Sequence, residues 1–346
     1  MTVSRPSVCI CIPTYNASAT LPATLDSLLR QTYDGIIIIK VVDNASTDDT
    51  VAVAREYARS LQNIDVRAFS ENIGAEGNFT RCIQLAEGDY TAIYHADDLY
   101  EPEMVEKQVA FLKKHREAGA VLTGARYIDA RGKELGLHVL PREIRHLDEA
   151  LYDFPSLLKS VLRCSNFLMC PSAMVRTSVY LQEIRIWDGG RFGTSADLDV
   201  WLRISQQHKV GIITAPLMRY RVSHRSFSYH YARTRLQPMD MLLVLDDYVA
   251  RYGAALLDEQ DLKRYRLFSF KDSASRSLNA LINDDRRQAR DVAKELFTAP
   301  ALSSMATTPR GALYAVIGCA AYVLSLIPIG RTGRRMLHLM KFGPAK

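Results

Sequence analysis

The chain has 346 residues, enough for one large domain with appendages or for two domains, and its composition is that of a globular protein. Arg310 to Lys346 holds six Lys or Arg and no Asp or Glu, so the net charge of +6 sits in this tail and residues 1–309 are neutral overall. A nucleic-acid-binding body is thereby excluded, and what remains is a neutral body with a basic end.

Ser7 to Pro13 is a continuous apolar run of strand length stopped by proline, the pattern of a strand buried on both faces of a parallel sheet. No charged, apolar and cleavage-site sequence precedes it. The cysteines at 9, 11, 82, 164, 170 and 319 show no CxxC or metal-ligand spacing. An unexported protein in a reducing compartment is expected, with Cys9 and Cys11 as small core residues. After Thr14-Tyr15-Asn16, Leu21, Leu25, Leu28 and Leu29 recur at helical spacing. Ile36 to Val42 reads as a second buried strand ending in Asp43-Asn44-Ala45-Ser46, and Thr47 or Asp48 is placed to cap the helix that follows. A third strand is expected over 64–69, then Glu71-Asn72-Ile73-Gly74, then a helix to about Ala86.

The fourth strand, 90–94, ends abruptly in His95, Ala96 and two adjacent carboxylates, Asp97 and Asp98, before Pro102 and Glu103 open another helix. Adjacent acids repel, so either the pair caps a solvated turn or a metal ion makes it favourable. Strands alternating with helices of about a dozen residues imply a parallel, doubly wound sheet, whose ligands lie at the carboxyl ends of the strands. Every polar cluster named so far lies at such an end. No G-x-G-x-x-G follows the first strand, which argues against a dinucleotide site.

Further along, the pattern predicts a strand over 120–129, a turn at Arg131-Gly132-Lys133, a helix over 147–162 and a strand and turn over 170–180. A glycine-rich loop at 187–193 leads to a helix with Val200, Trp201 and Ile204 on one face and Asp197 in its first turn. Asp199 reads as a first-turn acid favoured by the helix dipole. Trp187 and Trp201 read as core residues, with Trp187 the better placed of the two to meet an acceptor. A short strand at 210–214 precedes two or three helices within 230–298.

Six ordered blocks, CICIPTYNASATLPATLDSLLRQT, VVDNASTDDT, ENIGAEGNFTRCIQLAEGDY, HADDLYEP, ADLDVWLRI and RYRVSHRSFS, together resemble the inverting family-2 glycosyltransferases over roughly residues 6–228. The resemblance implies an α/β chain of the GT-A nucleotide-diphospho-sugar transferase fold, with a mainly parallel doubly wound sheet and a helical C-terminal region. It divides the chain into a catalytic domain (1–228), a helical extension (229–309) and an apolar, basic tail (310–346). It implies that Pro13, Thr14, Tyr15 and Asp43 hold the nucleotide base, although Asp43 also reads as a helix-cap acid. Asn72 and Gly74 then approach the ribose and base, and Asn16, Asn78 and Asp97 complete the nucleotide-sugar site. Asp97 and Asp98 match the metal motif for Mg²⁺ or Mn²⁺. His224 stands where relatives place a further metal or phosphate contact, or is a hydrogen-bonded structural histidine. Asp197 matches the base that deprotonates the acceptor hydroxyl. Relatives often carry an acid where His95 stands and a glutamate where Ala196 stands.

The activity so implied is metal-dependent inverting transfer of a sugar, from UDP foremost, to a glycan or lipid-linked acceptor in cell-surface polysaccharide or glycoconjugate synthesis. The alternatives are a sugar nucleotidyltransferase, or a non-catalytic nucleotide-sugar-binding or scaffold protein of the same fold. Ala312 to Ile329 is uncharged and just long enough to span a bilayer. A cytosolic body would put Arg331, Arg334, Arg335, Lys341 and Lys346 on the far side of such a span, against the positive-inside bias. The tail therefore spans, or attaches as a monotopic or peripheral segment at the inner face of the cytoplasmic membrane, or packs on the body or in a homo-oligomer.

Overall fold

The computed structural model describes residues 5–222, 235–298 and 309–342. The chain divides into two compact units, 1–223 and 224–346.

The first unit is built on one mixed sheet. Strands β1 (Val8–Thr14), β2 (Ile37–Asn44), β3 (Ile64–Phe69) and β4 (Tyr90–Ile93) lie parallel in the order β3-β2-β1-β4. Helices α1 (Leu21–Leu29), α2 (Thr50–Ser60) and α3 (Gly74–Gln84) connect them. β1 therefore has β2 on one side and β4 on the other, and the crevice between the carboxyl ends of β1 and β4 is a topological switch point. The core follows the sequence pattern: Ile10, Ile12, Leu21 and Leu25 are fully buried. Lys40 is the one cation inside this run. It is tolerated because its ammonium reaches the Leu85 carbonyl at 2.8 Å and Glu87 at 2.9 Å.

Beyond β4, the sheet departs from the expected parallel order. β5 (Leu99–Tyr100), α4 (Met104–Lys114), β6 (Ala118–Ile128), β7 (Glu134–Leu137), β8 (Glu149–Tyr152), α5 (Phe154–Cys164) and β9 (Met174–Arg176) follow. β9 is only three residues long and lies antiparallel between β4 and β6, joining the two parallel sets. The strand expected within 170–180 is β9, and the turn expected after it is instead a helical stretch from α6 (Thr177–Val179) through a π-turn (Tyr180–Ile184).

Three other expectations are corrected. The helix expected over 147–162 begins at Phe154, because Asp153 and Ser156 form a capping box there, and 149–152 is instead an edge strand on β10 (Lys209–Arg221). The glycine-rich loop contains a short helix, α7 (Gly189–Phe192), capped by the Asp188 carboxylate. The strand expected at 210–214 runs on to Arg221, absorbing Pro216 through irregularities on either side of it. Between α7 and β10, α8 (Ala196–Gln207) places Trp201 in the core.

The second unit is helical: α9 (Asp240–Leu256), α10 (Glu259–Ile282), α11 (Arg286–Lys294), α12 (Pro309–Leu326) and α13 (Arg331–Phe342). α12 packs Tyr314, Ala315 and Ile317 against Phe270, Ala274 and Leu296, and Ala321 against Ala280 and Ala289. α13 is tied to α10 by the Lys341 ammonium, which donates to the Ser275 carbonyl and hydroxyl and to Asn279 Oδ1.

The β6–β10 pairing depends on Gly124. A Cβ there would lie 2.5 Å from the Thr214 carbonyl oxygen and 3.0 Å from that of Ala215, both backbone atoms with little room to yield. Gly124→Ala is expected to destabilise the first unit by about 1–3 kcal/mol, read from chemical denaturation.

Candidate active site

The carboxyl ends of β1 and β2 are knotted together by short polar contacts. Thr14 Oγ1 donates to Asp43 Oδ1 at 3.0 Å, and the Ser46 N–H donates to Asp43 Oδ2 at 2.9 Å. Asp43 is buried and braces the turn that precedes α2; it does not cap the helix, whose N-cap is Asp49. Asn16, in the left-handed region at φ 50, donates its N–H to Ser46 Oγ and accepts the Thr47 N–H at 2.8 Å. Tyr15 is 52% exposed, leaving its ring open to a partner.

Asn72 Oδ1 accepts from the Gly74 N–H and from Asn44 Nδ2, both at 2.9 Å. Gly74, at φ 80, begins α3 in a conformation that glycine adopts without cost. Asn78 is buried; its amide donates to the Val42 carbonyl at 2.8 Å, while its Oδ1 has no hydrogen-bond partner.

His95, Asp97 and Asp98 converge at the end of β4. One ligand atom from each lies within 4.8 Å of the others. The loop is clamped from three sides. Thr24 Oγ1 of α1 donates to the Ala96 and Asp98 carbonyls at 3.0 and 2.8 Å. Tyr100, stacked on Tyr94, accepts the His95 N–H at 2.7 Å. Arg221 of β10 donates its N–H to Asp98 Oδ1 and its Nε–H to the Asp97 carbonyl, both at 2.8 Å.

Asp98 is 1% exposed and its Oδ2 has no hydrogen-bond partner. That oxygen lies 4.0 Å from His95 Nδ1. Burial, and then the neighbouring Asp97 charge, push the Asp98 carboxyl well above the usual carboxylate range. Burial holds the His95 imidazole below its ordinary value, favouring the neutral form that can ligate. An orphaned carboxylate oxygen, a second carboxylate and a neutral imidazole fit a divalent cation. His224, the fourth candidate ligand, lies outside the described residues.

His95 also lines a cavity of about 320 Å³, whose walls include Phe79, Tyr127, His138, Asn166 and Asp197. Phe79 stacks on Trp187, which meets Trp201 edge-on, so both tryptophans belong to the packed wall, and Trp187 also borders the cavity. Asp197 sits in the first turn of α8. Burial raises its carboxyl to about 6, against hydrogen bonds from the Leu198 N–H and the Asn166 amide. A carboxylate with that pKa is largely ionised at neutral pH yet basic enough to accept a proton. Asp199 points elsewhere, pairing with Arg203 at 2.7 Å, and Arg203 in turn donates to the Ile184 and Ile186 carbonyls. A larger cleft of about 480 Å³ involves β6, β7 and β10, but its charges are mutually paired as Glu101–Arg219, Glu103–Lys107 and Arg126–Glu134.

The structure thus gathers Thr14, Asp43 and Asn16 at one strand-end knot and Asn72 and Gly74 at another, with Asp97 and Asp98 beside His95. Asp197 shares a cavity with His95. Sequence reasoning assigned no role to Asn44 and Arg221. Asn44 links three loops, accepting the Ile73 N–H and Arg81 while donating to Asn72 and Gly74. Its place in the polar cluster ending β2 was the available signal. The signal for Arg221 was its place in RYRVSHRSFS.

Comparison with known proteins yields consistent matches. The model of "Glycosyl transferase family 2" matches residues 9–179. The putative glycosyltransferase EpsE of Bacillus subtilis is 31% identical over 205 residues, 59% of this chain and 68% of that protein. The putative teichuronic acid biosynthesis glycosyltransferase TuaG of the same organism is 30% identical over 151 residues, covering 44% and 59%. In structure, S. aureus TarS 1–349 in complex with UDP aligns with a TM-score of 0.62 at 17% identity, over 95% of this chain and 91% of that one. The mannosyltransferase PcManGT from Pyrobaculum calidifontis, in complex with GDP-Man and Mn²⁺, aligns at 0.53 with 16% identity, over 94% and 87%.

The orphaned Asp98 oxygen generates a prediction. Asp98→Asn removes a buried carboxyl whose ionised form the site disfavours, so the metal-free variant should melt at or above the wild-type temperature at neutral pH. Adding Mn²⁺ should raise the melting temperature of the wild type and leave that of the variant unchanged in a thermal-shift assay.

Proposed function

The chain belongs to glycosyl transferase family 2, and from that premise we propose that it is a metal-dependent inverting enzyme using a nucleotide-diphosphate sugar, foremost a UDP-sugar. The observation that carries this reading is the cavity with His95 of the acid cluster on one wall and Asp197 on another. The TarS complex with UDP supports UDP as the nucleotide, and the likeness to TuaG supports a role in cell-surface polysaccharide synthesis. Pro13, Thr14, Tyr15, Asn16 and Asp43, with Asn72, Gly74 and Asn78, form the nucleotide side, where exposed Tyr15 offers a stacking face.

His95, Asp97 and Asp98, with His224 as a further candidate, would hold Mg²⁺ or Mn²⁺. The nitrogen donor suits Mn²⁺ better than Mg²⁺, which prefers an all-oxygen shell. When bound, the ion neutralises charge developing on the departing diphosphate. Asp197 accepts the proton of the acceptor hydroxyl, and that oxygen attacks the anomeric carbon from the face opposite the diphosphate, inverting it. The cavity of about 320 Å³, bordered by Phe79, Tyr127, Trp187 and Tyr220, leaves room for a sugar ring. Asp197→Asn should fold, retain nucleotide binding and lose on the order of 10²–10⁴ in rate. The assay is nucleotide release from a panel of UDP- and GDP-sugars with and without Mn²⁺. Near-normal turnover in that variant removes Asp197 from the role, and no turnover of any donor by the wild type favours the scaffold alternative.

We also assign the 310–346 segment to the inner face of the cytoplasmic membrane. α12 has a mean hydropathy of 1.3 and seats Gly318 and Ala321 in the helical unit, while Leu313, Val316, Val323 and Leu326 face outward. A helix with one face in protein and large apolar side chains on the other suits lying along a bilayer better than crossing it. Arg310, Arg331 and Arg335 are exposed, each contributing about 1 kcal/mol near anionic lipid. Truncation would uncover the core face, so the test is Val316→Glu with Val323→Glu. The wild type should sediment with phosphatidylglycerol vesicles, and the double variant, with its melting temperature unchanged, should remain in the supernatant.

A further inference from the structure

Two imidazoles line the cavity, and they are committed differently. His95 has its Nδ1 4.0 Å from Asp98 Oδ2 and its Nε2 4.0 Å from Cys170 Sγ. The His138 ring has no such neighbours. Its Nδ1 is sealed from solvent without a hydrogen bond, whereas among the described residues its Nε2 is neither sealed nor bonded. Burial holds this imidazole below its ordinary value and so favours the neutral ring. A sealed N–H without an acceptor is rarer than a bare lone pair. The one ring proton therefore belongs on Nε2, the open nitrogen, which is a hydrogen-bond donor.

Strand pairing shows where this donor stands. β10 runs along one edge of β6 from Ala118 to Ile128, so β9 and β7 share the other edge, β9 against Ala120 and Val121 and β7 against residues 126–128. β9 also pairs with β4, which puts β7 on the side of the strand that ends in Asp97 and Asp98. In the order β3-β2-β1-β4-β9-β6, the loops ending β1, β2 and β3 lie on the opposite side of β4. The His138 N–H continues the β7 ladder by donating to the Ala125 carbonyl at 2.9 Å. Tyr127 meets the His138 ring edge-on at 6.1 Å and the Tyr220 ring edge-on at 6.0 Å. Gly136, opposite Tyr127 on β7, adds no side chain over that ring. Aromatic faces with one fixed donor match a pyranose, whose C–H face is apolar and whose oxygens accept.

We propose that His138 is a specificity-determining residue: its Nε2–H donates to an oxygen of a pyranose lying against Tyr127 and Tyr220. This rests on the reading of the cavity as the transfer site. The pyranose is the sugar of the nucleotide donor or that of the acceptor, and the two are separated by experiment. A site built around one hydrogen bond to a sugar oxygen discriminates against analogues that lack it, because the donor is then left unpaired.

The test compares His138→Phe, which keeps an aromatic ring and removes the donor, with His138→Gln, which restores an N–H. Three affinities are measured on the full chain: for UDP alone, for a panel of UDP-sugars, and, with UDP bound, for a panel of methyl pyranosides followed by saturation-transfer NMR. His138→Phe should leave the affinity for UDP unchanged and weaken one of the two sugar arms about three- to tenfold, as expected for one hydrogen bond. His138→Gln should recover most of that loss. A change confined to the UDP-sugars assigns the pyranose to the donor, and a change in the pyranosides assigns it to the acceptor. The proposal is overturned if both sugar arms stay unmoved, if UDP affinity falls by the same factor, or if His138→Gln loses as much as His138→Phe. None of these affinities needs turnover, so absence of transfer by the wild type would fall on the transferase reading alone.

Discussion

The catalytic unit depends on a carboxylate placed where it is least comfortable. Asp98 is enclosed at the end of a buried strand, hydrogen-bonded through one oxygen to a backbone N–H and through the other to nothing. Left unsatisfied, a buried carboxylate costs several kcal/mol. The surrounding structure supplies the rigidity that such a group requires: Thr24 from below, Tyr100 on its stacked partner, and Arg221 from the far strand. Each clamp fixes backbone, and among the described residues neither Asp97 nor Asp98 is ion-paired with a Lys or Arg. That combination of rigid support and unspent ligand capacity is what the proposed ion site requires and a solvated turn does not.

Much of this was legible in the sequence because local pattern and global role coincide there. Ile10 and Ile12, Ile39 and Val41 are apolar without interruption because their strands are covered on both faces, and the polar clusters after them mark the strand ends. From residue 120 onward the correspondence loosens. β9 is three residues long and takes its identity from the neighbours on either side, so no periodicity could reveal it. Leu147 to Tyr152 carries spacing compatible with a helix, and only the Asp153–Ser156 box moves the helix start beyond it. The extent of β10 depends on bulges around Pro216, a residue that by itself argues for termination.

The candidate site divides in the same way. Candidates chosen by residue type, such as Asp97, Asp98 and Asp197, stand out by their chemistry at a strand or helix end. Residues that act by holding others do not. Asn44 and Arg221 are ordinary polar residues in the sequence, and their importance lies in partners 28 to 124 positions away. Asp199 shows the converse case. It resembles a candidate by type and location, yet its salt bridge to Arg203 commits it to bracing the approach to Trp187.

The bond from the Arg221 N–H to Asp98 also has a temporal side. Its partners are 123 residues apart, with the acid emerging first from the ribosome. The β3-β2-β1-β4 set is complete in sequence by Ile93, and at 5–20 residues per second the strand that caps the acid loop arrives roughly ten seconds later. Throughout that interval Asp98 can stay hydrated, and its burial is deferred until the last strand of the sheet docks. The nascent half-sheet therefore need not carry the desolvation cost of this acid loop, and sealing of the loop coincides with completion of the fold.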